Sequence, residues 1–481
     1  MQLKLLLLSL LTILFIPQIS TAQIALGQGH IVGEVTLSSA ILQARLTRGT
    51  KLVNGDLPGH KGIGRFQLSE SETFTDPFYS SWTNAIAKND HIIKAPMYDL
   101  LPNQKYYFRL IYGTTKTKTV NGPTGTFHTL PLTAKTIKPE RLAIIANMNY
   151  DAFYSGINAY EGKDKNQGYP ALESIRQKNP TYLICAGNNV FYDDPKMDAA
   201  KTIAQMRRKW HAQFSQPRLH ALLAHTPTYW LKNDRDYRYL TADQTSDRKP
   251  SHKQGIAIFR EQVPVVDPHK TNAVTYRTHR LNKLVQIWLV ETRDHRNANR
   301  DPNTERKSMW GETQREWLQT TLAESDATFK LLISPTPMIG PDNTHKQDNH
   351  TNMRGFRYEG DHFVTWLRKN GFQDRNFYII SGGRGAQYHS EHLTHIEEFC
   401  AGTVIDAYAK TAIKPGGRNS TDPQALITQR YTYSEPTGGF LIVDITPGEQ
   451  DQPATATFIF YDEKGNELYR VEKKEIRNKK Q

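Results

Sequence analysis

The chain has 481 residues, 38% of them apolar and 10% aromatic, with seven Trp and a formal charge of +13. That length exceeds one ordinary core and corresponds to two or three domains at roughly 150 residues each. The aromatic content excludes a disordered chain, and two cysteines exclude a disulfide scaffold. Cys185 and Cys400 both lie in apolar words, YLICAG and EEFCAG, that suit buried free thiols, with a single bridge as the alternative. The basic balance suits a phosphate-bearing ligand, an anionic polysaccharide or nucleic acid. A plain solvated surface is the competing reading, since Lys and Arg are scattered apart from the terminal KKEIRNKKQ.

Residues 1–22 have the pattern of a secretory signal peptide: Lys4, an apolar run from Leu5 to Ile16, and small residues Ser20-Thr21-Ala22 before Gln23. The apolar run is shorter than the ~20 residues of a spanning helix, and no later segment is apolar enough to span. The expectation is an exported chain, periplasmic or extracellular, with no transmembrane segment after cleavage.

From about residue 27 to 130 the pattern is all-β. HIVGEVTLSSAILQARL alternates apolar and polar residues, and KYYFRLIYG and GTFHTL are separated by the turn-rich TTKTKTVNGPT. Leu100-Leu101-Pro102 leading into a Tyr-rich strand resembles a fibronectin type III sandwich. Residues 131–139 form a linker bounded by Pro131 and Pro139. From residue 140 to 475 strands and helices alternate, which signals an α/β domain. RLAIIAN and YLICAG are apolar strands, and a helix with Pro at its first turn spans Pro170 to Gln177. Helical spacing runs from Met197 to Phe214, with Ile203, Met206, Trp210 and Phe214 on one apolar face. Strands follow at Leu284–Glu291 and Phe329–Ser334 with a helix at Thr313–Leu322 between them. A helix ending at Phe363–Arg368 precedes the strand NFYIISGG, and GGFLIVDI and ATATFIFYD close the chain.

Each of these strands empties into a polar loop, where ligands gather in open α/β sheets. The loops hold Asn147 to Asp151, Asn188 with Asp193 and Asp194, and Asn233-Asp234-Arg235-Asp236. They continue with Asp342 and Asp348-Asn349-His350, then Gly382-Gly383-Arg384-Gly385 followed by Tyr388-His389. Side chains converging from several strand ends can assemble a binuclear metal site. No Gly-x-Ser-x-Gly elbow, Walker loop or His-Glu-x-x-His helix competes with that reading.

The ordered words GEVTLSSAILQARL, AGNNVFYDDP, TPTYWLKNDRDY, LVETRDHR, SPTPMIGPDN with DNH, GFRYEGDHF, NFYIISGGRGAQYHS and EFCAGT resemble the alkaline phosphatase D (PhoD-like) family of metallophosphatases. The resemblance covers nearly the whole mature chain. It implies a fibronectin type III-like sandwich followed by a calcineurin-like metallophosphatase domain, a double β-sandwich flanked by helices. It also implies phosphomonoester and phosphodiester hydrolysis with iron and calcium, or comparable divalent or trivalent ions.

Four motifs depart from the family pattern. A Gly-Asp pair becomes Gly187-Asn188, and Asp-Asp-His becomes Asn233-Asp234-Arg235. Gly-Asp-Arg-His-Trp becomes Gly382-Gly383-Arg384-Gly385-Ala386, and a Cys region holds Asn147 and Met148. Each change removes negative charge, a ligand atom or both, and metal affinity rests on a full count of deprotonated ligands. The resemblance leaves Asn188, Asp234, Asn147 and Tyr150 as candidate metal positions, with Arg235 and Arg384 as candidate catalytic groups stabilising charge on phosphorus oxygens. Neighbouring Asp193, Asp194, Asp236 or Asp342 could substitute for the lost ligands. The expectation is a family member of weak or lost activity. The alternative is a non-catalytic binder of phosphate, phosphoester or sulfate, with Arg235, Arg384, Arg293, His350 and His389 forming a cationic pocket. A small oxyanion is the expected partner and no specific nucleic acid is.

Overall fold

The structure, a computed structural model, describes residues 23–132, 136–449 and 451–477. The expected signal peptide lies outside the described residues, as do part of the expected linker and the end of the basic tail. Among the described residues no helix is long and apolar enough to cross a membrane.

Two large sheets stack face to face in the second region of the chain. One runs, in spatial order, through Glu467–Lys474, Thr455–Asp462, Gly439–Thr446, Glu140–Ile145, Tyr182–Ala186 and Thr228–Leu231. The other runs through Arg277–Arg280, Val285–Leu289, Phe329–Ser334, Phe377–Ser381, Glu397–Ala401, Gln387–Glu391 and Thr428–Thr432. At the centre of both sheets the strands are parallel. Their continuous apolar runs follow from burial on both faces: Ile144, Ile184, Ile333 and Ile380 fill the layer between the sheets. Alternate side chains such as Ala143, Leu183 and Cys185 point instead at a helical layer that includes Pro170–Gln177, Ile203–Gln213 and His252–Gln262. Helices Glu312–Glu324 and Arg357–Lys369 cover the far face of the second sheet.

The first region is a two-layer β-sandwich around Val32, Leu42, Phe66, Leu68, Phe108 and Leu110. Tyr106, at the start of its longest strand, accepts a hydrogen bond from the backbone N–H of Leu101 (2.9 Å), which ties down the Leu-Pro corner. One layer of this sandwich continues the larger sheet. His30–Gly33 lies beside Thr228–Leu231, followed by Ala40–Arg45 and Ile92–Met97, giving nine strands in all. The seam is thin in backbone pairing but reinforced by side chains. Thr228 and Tyr229 donate their hydroxyls to Val32 and Val35 carbonyls at 2.8 and 2.9 Å, and Arg277 pairs with the half-buried Glu34. The sequence separates residues 27–130 from 140–475; the folded chain joins the two stretches through a shared sheet.

The helix expected from Met197 to Phe214 is shorter. It begins at Ile203, where Thr202 and Gln205 form a reciprocal capping box, after an isolated turn at Lys196–Asp198. Ile203 is therefore a first-turn residue, 41% exposed, while Met206, Trp210 and Phe214 are buried as the spacing requires. Cys185 and Cys400 are both buried and free, and burial beside Glu398 pushes the Cys400 thiol up to about 12.

Candidate oxyanion site

The central parallel strands of both sheets deliver their carboxyl ends to one cavity of about 380 Å³. Its wall includes Asn188, Asp234 and Arg235 from the nine-stranded sheet, Asp342 and Lys346 from the loop after Phe329–Ser334, and Arg384 after Phe377–Ser381. Tyr408 and Lys410 close one side.

The strand Tyr182–Ala186 ends in a tight left-handed turn, with Gly187 at φ 93° and Asn188 at φ 55°. A Cβ on Gly187 would come within 2.9 Å of the Asn233 side chain, so the glycine lets two strand ends touch. Asn188 then joins an amide web. Its Nδ2 donates to Asn147 Oδ1 (2.9 Å), and its Oδ1 accepts from the Arg235 backbone N–H (3.1 Å). Asn147 Nδ2 donates in turn to the carbonyls of Arg384 (2.6 Å) and Gly402 (2.8 Å). Asn233 donates to the Pro335 carbonyl at 2.8 Å. These amides stitch the strand ends of both sheets together. Buried polar atoms are expensive unless paired, and here both ends of the Asn188 amide are used inside the protein.

The charged side chains pair with one another. Arg235 reaches Asp193 at 2.8 Å and lies over the Phe191 ring. Arg384 pairs with Asp342, and its Nε, buried, has no partner among the described residues. Lys346 Nζ sits 2.7 Å from Asp234 Oδ2 and 3.6 Å from Asp348 Oδ1. Burial alone would raise the Asp234 carboxyl, but Lys346, Arg293 and Arg235 outweigh it and hold that group far below the usual carboxylate range. Lys410 forms no ion pair among the described residues. Burial, together with Arg235, Lys346 and Arg384, lowers its ammonium from the ordinary value.

Several residues expected at the site lie elsewhere. Arg293 is fully buried behind the wall, bound to Asn233 Oδ1 (2.5 Å), Asp348 (2.9 Å) and the Ala242 carbonyl (3.0 Å). It braces the site from behind and does not line the cavity. His350 is a core residue, hydrogen-bonded to Glu359 at 2.9 Å and packed on Trp310. His389 stacks on Phe399 and bonds Glu397 (2.7 Å) and Tyr469 (3.0 Å), because its strand register turns it into the layer between the sheets. Tyr150 opens a short helix, stacks on Tyr154 and faces a different, smaller cavity. The arginines are paired as structural bridges, though with aspartates from other loops and not with their sequence neighbours.

Lys346 and Lys410 escaped sequence reasoning. Lys346 stands two residues before Asp348, in a loop whose carboxylates and histidine drew the attention; a cation between two aspartates was the available signal.

The residues present do not fit a two-metal centre. No group of three or more His, Cys, Asp or Glu side chains is placed to hold an ion among the described residues. The spare carboxylates are engaged: Asp193 by Arg235, Asp194 by Asn149 Nδ2 (2.7 Å), Asp342 by Arg384, and Asp236 by three donors from Asn189 and Asn233. At Gly383, φ 73°, a Cβ would lie 2.5 Å from the Pro335 carbonyl and 2.6 Å from Asn233 Nδ2. At Gly385 it would lie 2.8 Å from the Tyr408 carbonyl. The backbone has closed on both positions where the resemblance implies a ligand.

Two face-to-face sheets flanked by helices, with polar loops meeting at the strand ends, define a layered protein that carries its site at the sheet edges. Residues 152–433 match the family model described as PhoD-like phosphatase, and residues 16–131 match that of the PhoD-like phosphatase N-terminal domain. The chain belongs to the PhoD-like phosphatase family. Among solved structures it is similar to one titled "Structure of PhoD", at 16% identity over 95% of this chain and 93% of that one, with a TM-score of 0.71. It is also similar to the purple acid phosphatase PPD1 from yellow lupin (Lupinus luteus) seeds, at 10% identity over 92% and 73% of the respective chains, with a TM-score of 0.58. At these identities the likeness speaks for the fold. Comparison with curated proteins found no match.

Proposed function

We propose that this chain is an exported member of the family that binds a phosphate, phosphoester or sulfate group in the cationic cavity, its hydrolytic activity weak or lost. The observation that carries the reading is the composition of the wall: Arg235, Lys346, Arg384 and Lys410 against only Asp234 and Asp342. With Arg235 paired to Asp193 just outside the wall, that leaves a surplus of one positive charge in a partly enclosed space, the ammonium of Lys410, which has no ion-pair partner among the described residues. An oxyanion entering there replaces repulsion between ammonium and guanidinium groups with charge-assisted hydrogen bonds. Leu240, Pro341, Ala412 and Ile413 leave an apolar rim that suits the organic part of an ester. Arg235 and Arg384 keep the role the sequence suggested for them, holding oxyanion oxygens, without a catalytic step assigned. The Tyr106 corner supports a fibronectin type III-like first sandwich, and the pattern of residues 1–22 supports export to the periplasm or beyond.

The reading is tested by titrating chelator-treated protein with inorganic phosphate and with a small aryl phosphate in a calorimeter. The expected result is binding in the absence of metal, weakened about tenfold or more by Lys410→Ala or Arg384→Ala. Turnover of the aryl phosphate that requires added metal and vanishes in Asp234→Ala would instead support a working phosphatase.

A further inference from the structure

We infer that the ammonium group of Lys346 is the resident cation of this cavity, tethered to the chain and doing what a bound divalent ion does at a carboxylate-lined phosphate site. It neutralises Asp234 and Asp348 and presents positive charge to the incoming oxyanion. The inference rests on the oxyanion reading above and adds a residue and a role that the sequence did not suggest.

Three observations support it. First, position: Nζ lies between two buried carboxylates from different loops, 2.7 Å from Asp234 and 3.6 Å from Asp348, while lining the cavity. Second, the backbone that carries it is fixed. The Thr344 N–H bonds the Asn419 carbonyl at 2.9 Å, and Asn352 Nδ2 bonds the carbonyls of Thr344 (2.9 Å) and Lys346 (3.1 Å). Third, charge balance: Arg293 already pairs with Asp348 behind the wall, so Lys346 is the second cation for two carboxylates. Asp234 Oδ1 and Asp348 Oδ1 have no hydrogen-bond partner among the described residues. Taking the ammonium away leaves one uncompensated negative charge, with Asp234 Oδ2 and Asp348 Oδ1 facing the emptied volume, which is the chemistry of a cation site.

The test exchanges the tether for a metal. Chelator-treated full-length wild type and Lys346→Met are each titrated with Mn²⁺, followed by electron paramagnetic resonance, and with inorganic phosphate by calorimetry. The expected wild type binds phosphate without metal and takes up no stoichiometric Mn²⁺. Lys346→Met is expected to lose about tenfold or more in phosphate affinity, to gain one Mn²⁺ per chain, and to recover phosphate binding when Mn²⁺ is added. Phosphate affinity in Lys346→Met within twofold of wild type overturns the inference, as does tight Mn²⁺ uptake by wild type. Should Lys346→Met fail to fold, the charge-balanced Asp234→Asn/Lys346→Met protein decides: weakened phosphate binding without Mn²⁺ uptake supports the role, and unchanged affinity removes it. If wild type binds no phosphate at all, the oxyanion reading falls, while Mn²⁺ gained only on loss of Lys346 still identifies the lysine as the stand-in cation.

Discussion

The two sheets reach the cavity with different chemistry. From the nine-stranded sheet the strand ends contribute an amide web, Asn147, Asn188, Asn189 and Asn233, each spent on another protein atom, beside the charged Asp234 and Arg235. From the seven-stranded sheet come Arg293, Asp342, Lys346, Asp348 and Arg384, tied into ion pairs. An amide web fixes geometry without setting charge. An ion-pair layer sets charge and depends on keeping its count even. The cavity thus takes much of its shape from the amide web and its potential from ion pairs contributed by both sheets, and the two layers should fail in different ways.

The largest effect is expected on the charged side. Arg293 and Asp348 are both essentially inaccessible to solvent, and removing one partner of a buried pair leaves the other unpaired at a cost of about 3–5 kcal/mol. Arg293→Met should lower stability by that amount in chemical denaturation, with Arg293→Met/Asp348→Leu regaining most of it. A loss below about 1 kcal/mol would mean the charges are not interlocked. On the neutral side, Asn188→Asp restores the carboxylate of the family pattern yet should destabilise by about 3 kcal/mol. The new oxygen would face Asn147 Oδ1 at the present 2.9 Å, and the Asn147 amide cannot turn over because its Nδ2 already serves two carbonyls. Thermal unfolding of the variant with and without Mn²⁺ measures this; stabilisation by the ion would show that the neutral side still accepts a metal.

Much of the fold was open to sequence reasoning because it rests on local signals. Continuous apolar runs such as YLICA marked the central parallel strands, and Pro at the first turn placed the Pro170–Gln177 helix at its observed bounds. The convergence of the strand-end loops was legible for the same reason. What the sequence could not give was partner choice. Arg235 and Arg293 each have an aspartate as a direct sequence neighbour, Arg384 has none nearby, and all three pair with one from a distant loop. His350 and His389 sat in the right words but on the wrong faces, since a strand or loop can turn a histidine toward Trp310 or Phe399 as readily as toward a cavity. Lys346 stayed hidden because a lone lysine in a polar loop has the same local signature as a solvated one.

The nine-stranded sheet also buries a histidine held neutral, and acid should find it first. His30, in the strand that joins the two regions, is buried against Phe108 with neither ring nitrogen hydrogen-bonded among the described residues. Burial, then His225 and His220, lower its pKa to about 4 from an ordinary 6.5. The fold therefore favours the neutral ring. Its contribution is intact above pH 6.5, declines as pH falls from 6.5 toward 4, and stays flat below 4, where both folded and unfolded chains bind the proton. Between pH 7 and pH 5 this linkage amounts to about 2 kcal/mol, with His220 and His225, both also lowered by burial, acting in the same direction. Denaturation midpoints measured across that range should fall for the wild type and fall less for His30→Gln. An identical slope in both proteins would place the acid-sensitive groups elsewhere, and would remove His30 as the acid-labile point of the seam between the two regions.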